Sequence, residues 1–216
     1  MKACIFDLDG TLTNTLESMT YSVNLTLEEM GLSKITKDQC RLFVGNGARV
    51  LIEKSLKAAG DTDASRIEEG MEIYGRIFDR NCTYHVTPYE GIPEMLKALK
   101  DKGIQLAVLS NKPDRQTVKV VKAIFGEELF DYAQGQKEGI RRKPEPDGVW
   151  YLMEQMHVSK EECLYIGDSE VDAATGRNAG LKTIGVLWGI PGTEKTLETA
   201  EVDDLIDRPD ELLQFV

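Results

Sequence analysis

The chain has 216 residues, room for one large domain or for a core domain carrying a smaller insertion. Its 41% hydrophobic and 29% charged residues are those of a folded soluble protein, which excludes a disordered or fibrous chain. Lys and Arg number 26 against 37 Asp and Glu, a formal charge of −11, the wrong sign for a protein that binds by neutralising nucleic-acid phosphates or anionic lipid.

Residues 2–6 form a short apolar run that ends on Asp7 and Asp9, the pattern of a buried parallel strand opening onto an acidic loop. The same acids interrupt the run too early for a secretory signal or a membrane span, so a cytoplasmic protein without a membrane partner is expected. From about residue 15 to 85 no strand is evident. Leu16, Met19, Val23, Leu27 and Met30 make one helical stripe, Val50, Leu51 and Leu56 a second, and Ile67, Met71, Tyr74 and Phe78 a third. This predicts a helical insertion, residues 15–85, placed after the first strand of a core made of residues 1–14 and 86–216. Beyond it strand and helix alternate: Ile104–Leu109 turning at Ser110-Asn111, Leu164–Ile166 turning at Gly167-Asp168, Thr183–Leu187, and a short run at Leu205-Ile206. The helical stripes between them are Ile92/Met95/Leu96/Leu99, Val118/Val121/Ile124/Phe125 and Val149/Leu152/Met153/Met156. The prediction is an α/β fold, a Rossmann-like open parallel sheet with helices on both faces and a helical cap inserted after its first strand. Cys4, Cys40, Cys82 and Cys163 form no C-x-x-C pair and read as four reduced, buried thiols.

In such a sheet ligands bind beyond the carboxyl ends of the strands, so the polar residues after each apolar run converge. They are Asp7, Asp9 and Thr11, then Ser110 and Asn111, then Asp168, Ser169 and Asp172, with Lys143 brought near by a loop stiffened by Pro144 and Pro146. Carboxylates gathered in one place need a positive partner, and oxygen ligands point to Mg²⁺. With Mg²⁺ and Lys143 opposing Asp7, Asp168 and Asp172, the charges balance and a phosphate dianion is acceptable; without the metal it is repelled. An EF-hand starting at Asp7 fails at Leu12 and Ser18, where glycine and a carboxylate are required. Gly45-Asn46-Gly47 begins like a dinucleotide fingerprint but lacks the third glycine and a preceding strand.

Asp7-Leu8-Asp9-Gly10-Thr11-Leu12 after a strand resembles the first motif of the haloacid dehalogenase superfamily of phosphotransferases. Ser110-Asn111-Lys112, Lys143-Pro144-Glu145-Pro146-Asp147 and Gly167-Asp168-Ser169-Glu170-Val171-Asp172 resemble the second, third and fourth motifs, in family order. The insertion resembles the cap of the phosphoglycolate phosphatase-like branch, and Val44-Gly45-Asn46-Gly47-Ala48-Arg49 its cap loop. The resemblance implies that Asp7 attacks phosphorus and carries an aspartyl-phosphate while Asp9 acts as acid and then base. It also implies that Asp7, Asp168 and the backbone carbonyl of Asp9 bind Mg²⁺ and that Asp172 supports the metal or Lys143. Ser110, Lys143 and the amides near Asn111 hold the phosphoryl oxygens, with Thr11, Asn46 and Arg49 as further substrate contacts. One departure is Asn14, where the family often has aspartate.

The expected activity is Mg²⁺-dependent hydrolysis of a small-molecule phosphate ester, phosphoglycolate first. A β-phosphoglucomutase-like mutase, an inorganic pyrophosphatase and a phospho-accepting signalling module are the alternatives. The sequence carries no signal for an oligomeric state.

Overall fold

The computed structural model describes residues 1–190, 197 and 200–216. Strand β1 (Ala3–Phe6) and the two-residue β2 (Thr13–Asn14) lead into four helices, α1 (Leu16–Glu29), α2 (Lys37–Arg41), α3 (Ala48–Ala58) and α4 (Ile67–Asn81). The chain returns through β3 (Thr87–Pro88), α5 (Ile92–Asp101), β4 (Gln105–Pro113), α6 (Asp114–Phe125), β5 (Tyr132–Gln136) and α7 (Asp147–Met156). It then runs through β6 (Cys163–Gly167), α8 (Glu170–Ala179), β7 (Lys182–Val186) and β8 (Asp204–Ile206). Six strands form one parallel sheet in the order β5-β4-β1-β6-β7-β8. The chain builds the β4 side first and crosses to β6, so the reversal of strand order falls at β1, where a crevice opens beyond the strand ends.

Strand geometry sends alternate side chains to opposite faces, and β1 does so with an apolar residue at every position. Cys4 and Phe6 join the cluster that contains Leu96 and Leu99 of α5 and Val120 and Val121 of α6. Ala3 and Ile5 join the other, with Val149, Leu152 and Met156 of α7. The first cluster continues through Leu8, Leu12 and Leu16 into Met19, Val23, Ile52, Leu56, Tyr74 and Phe78, so sheet and helical insertion share one apolar body. All four cysteines are free and buried. Among the described residues no helix is long and apolar enough to cross a membrane.

Three features depart from the sequence reading. The turn expected at Ser110-Asn111 is absent: β4 runs on to Pro113, shifting register against β5 between Leu109 and Pro113. The polar residues there are buried because they face a cavity rather than solvent. Strand β5, Tyr-Ala-Gln-Gly-Gln, went unpredicted because it has no apolar run; its Gly135 is needed for contact, since a Cβ there would collide with the backbone of Lys112 and Asp114. The antiparallel pair of β2 and β3, Thr13 opposite Pro88 and Asn14 opposite Thr87, brings the entry and exit of the helical segment together, and strands of two residues leave no periodicity to read.

Candidate active site

Register places the site. Phe6 pairs with Val108 on one side and Ile166 on the other, so Asp7, Ser110 and Asp168, which follow one or two residues later, emerge on one rim. Asp7 is anchored there by its own amide, which donates to Ile166 O at 2.9 Å. The next residues wind tightly: the amides of Leu12 and Thr13 both donate to Leu8 O, and Gly10 takes a φ of 99° that favours glycine. A Cβ on Gly10 would also run into the Asp168 carboxylate. Two residues apart on this loop, Asp7 and Asp9 both face a cavity of about 100 Å³ between the sheet rim and the helical segment.

Its core wall is ionic. Lys143 Nζ lies 2.7 Å from Asp7 Oδ1 and 2.8 Å from Asp172 Oδ1. Lys112 pairs with Asp9 Oδ1, which also accepts from the Thr15 hydroxyl at 2.6 Å. Asp168 accepts from Thr11 Oγ1 at 3.3 Å and from the Ile190 amide at 3.1 Å. Asp7, Asp168 and Asp172 each offer an oxygen within 4.8 Å of the others, all three buried. Burial, against the pull of Lys143 and with the charges of Asp172 and Asp9, pushes the Asp7 carboxyl up to about 7. Burial together with Asp172 and Asp7 holds Asp168 well above the carboxylate range. Burial opposes the charge of Lys143, but Asp172 and Asp7 hold its ammonium well above the usual lysine value.

Asp172 occupies a different position from Asp7 and Asp168. Its Oδ1 accepts from Lys143 and from Tyr165 Oη at 2.9 Å, and its Oδ2 accepts from the amide and, at 2.5 Å, the hydroxyl of Ser169, which caps α8. Those four donors use the lone-pair sites of a carboxylate, so Asp172 orients Lys143 and lies outside the cavity lining.

The sequence-predicted residues divide accordingly. Asp7, Asp9, Ser110, Asn111, Lys143 and Asp168 line the cavity; Thr11 is buried behind it against Asp168, and its carbonyl accepts from Trp188 Nε1. Asn46 and Arg49 do not line it. Arg49 is turned outward onto Glu68 at 2.6 Å, while Asn46 contributes its carbonyl to Arg142 at 3.0 Å. Asn111 acts through its side-chain amide, donating to Gly45 O at 3.2 Å and Lys143 O at 3.1 Å, which ties the cap loop to the lysine loop. A second tether lies at Asp79 of α4, held by Arg115 and Gln116 of α6 at 3.0 and 3.1 Å. Residues that sequence reading missed include Lys112, Tyr165 and Arg41.

The match to the haloacid dehalogenase-like hydrolase family model spans residues 4–186. The chain belongs to that family. The phosphoglycolate phosphatase of Aquifex aeolicus is 33% identical over 216 residues, covering 100% of this chain and 97% of that one. The phosphoglycolate phosphatase of Haemophilus influenzae strain 86-028NP is 33% identical over 201 residues, 88% of each chain. A predicted phosphoglycolate phosphatase of Haemophilus somnus has a solved structure that superposes with a TM-score of 0.90 at 26% identity, covering 100% of this chain and 97% of that one. The protein is thus a phosphatase of the haloacid dehalogenase-like hydrolases.

A metal fits this haloacid dehalogenase-like site. Its donors are hard carboxylate oxygens, and the three buried carboxylates of Asp7, Asp168 and Asp172, with an oxygen each within 4.8 Å of the others, outnumber Lys143, which pairs with Asp7 and Asp172. The second oxygen of Asp7 takes no hydrogen bond among the described residues, which leaves it available to a cation or a phosphorus atom.

Proposed function

We propose that this protein is a Mg²⁺-dependent phosphatase of small organic phosphate monoesters, phosphoglycolate first among them, working through an aspartyl-phosphate on Asp7. The observation that carries the reading is the Asp7 carboxylate itself: one oxygen is fixed by Lys143 at 2.7 Å, the other opens into the cavity, and Asp9 stands two residues away.

Asp7 attacks phosphorus and the bond from phosphorus to the ester oxygen breaks. Asp9 delivers the proton the departing alkoxide needs; Lys112 and Thr15 both hold its Oδ1, which leaves Oδ2 to carry that proton. In the second half Asp9 takes a proton from the water that attacks the phosphoryl group, and Asp7 is released, so one difficult displacement becomes two easier ones. Proton transfer of this kind is worth roughly 10²–10⁴-fold in rate. Ser110, Lys143 and the backbone amides near Asn111 position the transferring oxygens, and Asp172 with Tyr165 keeps Lys143 aimed at them. Asp7, Asp168 and the carbonyl of Asp9 would hold Mg²⁺, which when bound supplies the positive charge that lets a phosphate dianion enter among the carboxylates.

The size of the cavity, about 100 Å³ against the roughly 300–1,000 Å³ of sites for drug-sized ligands, supports a compact ester, and the named relatives point to phosphoglycolate. Phosphate release from phosphoglycolate, β-glucose 1-phosphate, pyrophosphate and nucleotide and sugar phosphates, each with Mg²⁺ and with chelator, tests this reading. Mg²⁺-dependent turnover fastest on phosphoglycolate is expected; conversion of β-glucose 1-phosphate to its isomer without phosphate release would contradict it.

A further inference from the structure

The cap wall of the cavity is made of Met19, Val44, Ala48, Leu51 and Phe78, interrupted by two polar side chains, Arg41 of α2 and Tyr74 of α4. Tyr74 is only 2% exposed and stacks on Phe78 with ring centroids 5.0 Å apart. Its hydroxyl nevertheless makes no hydrogen bond among the described residues. A buried tyrosine hydroxyl ordinarily finds a partner, and one that opens onto a ligand cavity without one is a donor held ready for the ligand. Arg41, whose Nε also lies 3.8 Å from Asp38 Oδ1, is the only charged cap residue among the described ones that line the cavity. The sequence points instead to Arg49, which faces away.

We infer that Arg41 and Tyr74 together recognise an anionic group on the leaving-group end of the substrate, a carboxylate one or two carbons from the ester oxygen. The inference rests on the phosphatase reading and names the selector within it. The phosphoryl end is already matched by Ser110 and Lys143 on the core wall, so the cap wall meets the other end of the ester. A guanidinium and a hydroxyl donor lining the same cavity complement a carboxylate, whose two oxygens can accept from both. Beyond these two, the wall is hydrocarbon and the backbone of Gly45 and Gly47, with no further polar side chain for the several hydroxyls of a sugar, each of which would lose hydration on entering. A short acid is therefore preferred over a neutral ester of equal size and over a hexose phosphate.

The test compares phosphoglycolate with propyl phosphate, its neutral counterpart, on the wild type, Tyr74→Phe and Arg41→Met. Tyr74→Phe removes an oxygen that has no partner in the protein, so it is expected to melt at the same temperature or higher. Its kcat/KM for phosphoglycolate is expected to fall about 10-fold, and that of Arg41→Met about 100-fold, as for the loss of hydrogen bonds to a charged group. Both variants keep kcat/KM for propyl phosphate within about two-fold of wild type. Equal losses on both esters, or none on either, would overturn the inference while leaving the phosphatase reading intact. Failure of the wild type to hydrolyse either ester would overturn the reading and the inference with it.

Discussion

On the core side of the cavity Asp7 and Asp172 share Lys143 and Asp9 is paired with Lys112; all of them sit at the ends of hydrogen-bonded strands or on the loops these anchor, except Asp172 in the first turn of α8. On the cap side, across the cavity, the wall includes Met19, Leu51 and Phe78 with one guanidinium and one hydroxyl, carried on helices that join the core through β2 and β3. The difference separates two tasks. Groups that must meet a developing charge are held on the rigid sheet, where no reorganisation is needed at the moment of reaction. Groups proposed to choose the ester are placed on a segment tethered by Asn111 to Gly45, Arg142 to Asn46 and Asp79 to α6. Substitutions on the core wall should depress every ester alike, and those on the cap wall should reorder them.

The largest effect is expected from Asp7→Asn, which lowers kcat on the order of 10⁴-fold or more for every ester while the far-ultraviolet circular dichroism stays that of the wild type. An active, well-folded variant would remove the nucleophile from the account. Lys143→Met comes next, with kcat falling on the order of 10²–10³-fold on all esters. Because it leaves Asp7 and Asp172 buried without their cation, it should also cost about 3 kcal/mol in denaturant unfolding. A variant with wild-type stability would mean that the carboxylates are neutral in the resting protein.

Metal and proton should compete on the same wall. In the metal-free protein Asp7 titrates near 7, against roughly 4 for an aspartate in the unfolded chain. Between those values the folded protein holds the extra proton, so the contribution of Asp7 to stability is fully present below about pH 4 and is lost as pH rises through 7. Mg²⁺ binds the deprotonated site, so the rise in melting temperature it produces should be larger at pH 8 than at pH 5. An equal rise at both would place the ion elsewhere. The smallest effect is expected from Asp79→Ala, which cuts the tether to Arg115 and Gln116 on a half-exposed surface. KM should rise a few-fold for phosphoglycolate and propyl phosphate alike, with under about 1 kcal/mol lost in stability. A change confined to one ester would show that Asp79 selects rather than tethers.

The core wall was legible because a buried parallel strand is a continuous apolar run, and the polar residue that ends it marks the rim. That pattern alone marks Asp7 and Asp168. The apolar run does not mark Lys112 in the same way. A turn after Leu109, as the apolar run predicts, gives Ser110, Asn111 and Lys112 no common wall; as β4 continues to Pro113, all three line the cavity. Tyr74 belongs to an apolar stripe, and helical spacing gives the face of α4 but not the fact that this face borders a cavity. Arg41 closes a helix of five residues, too short to show any period. The outward turn of Arg49 depends on where Glu68 lies, a contact 19 residues away that no local pattern encodes.

The central claim is that Asp7 carries the phosphoryl group between the two halves of the reaction. Acid quenching of the enzyme during turnover of ³²P-labelled phosphoglycolate with Mg²⁺, followed by peptide mapping, addresses it directly. The account predicts label on the peptide containing Asp7, released by hydroxylamine as an acyl phosphate is, and none on Asp7→Asn. Steady turnover with no protein-bound phosphate at any time, and a labelled or active Asp7→Asn, would contradict it.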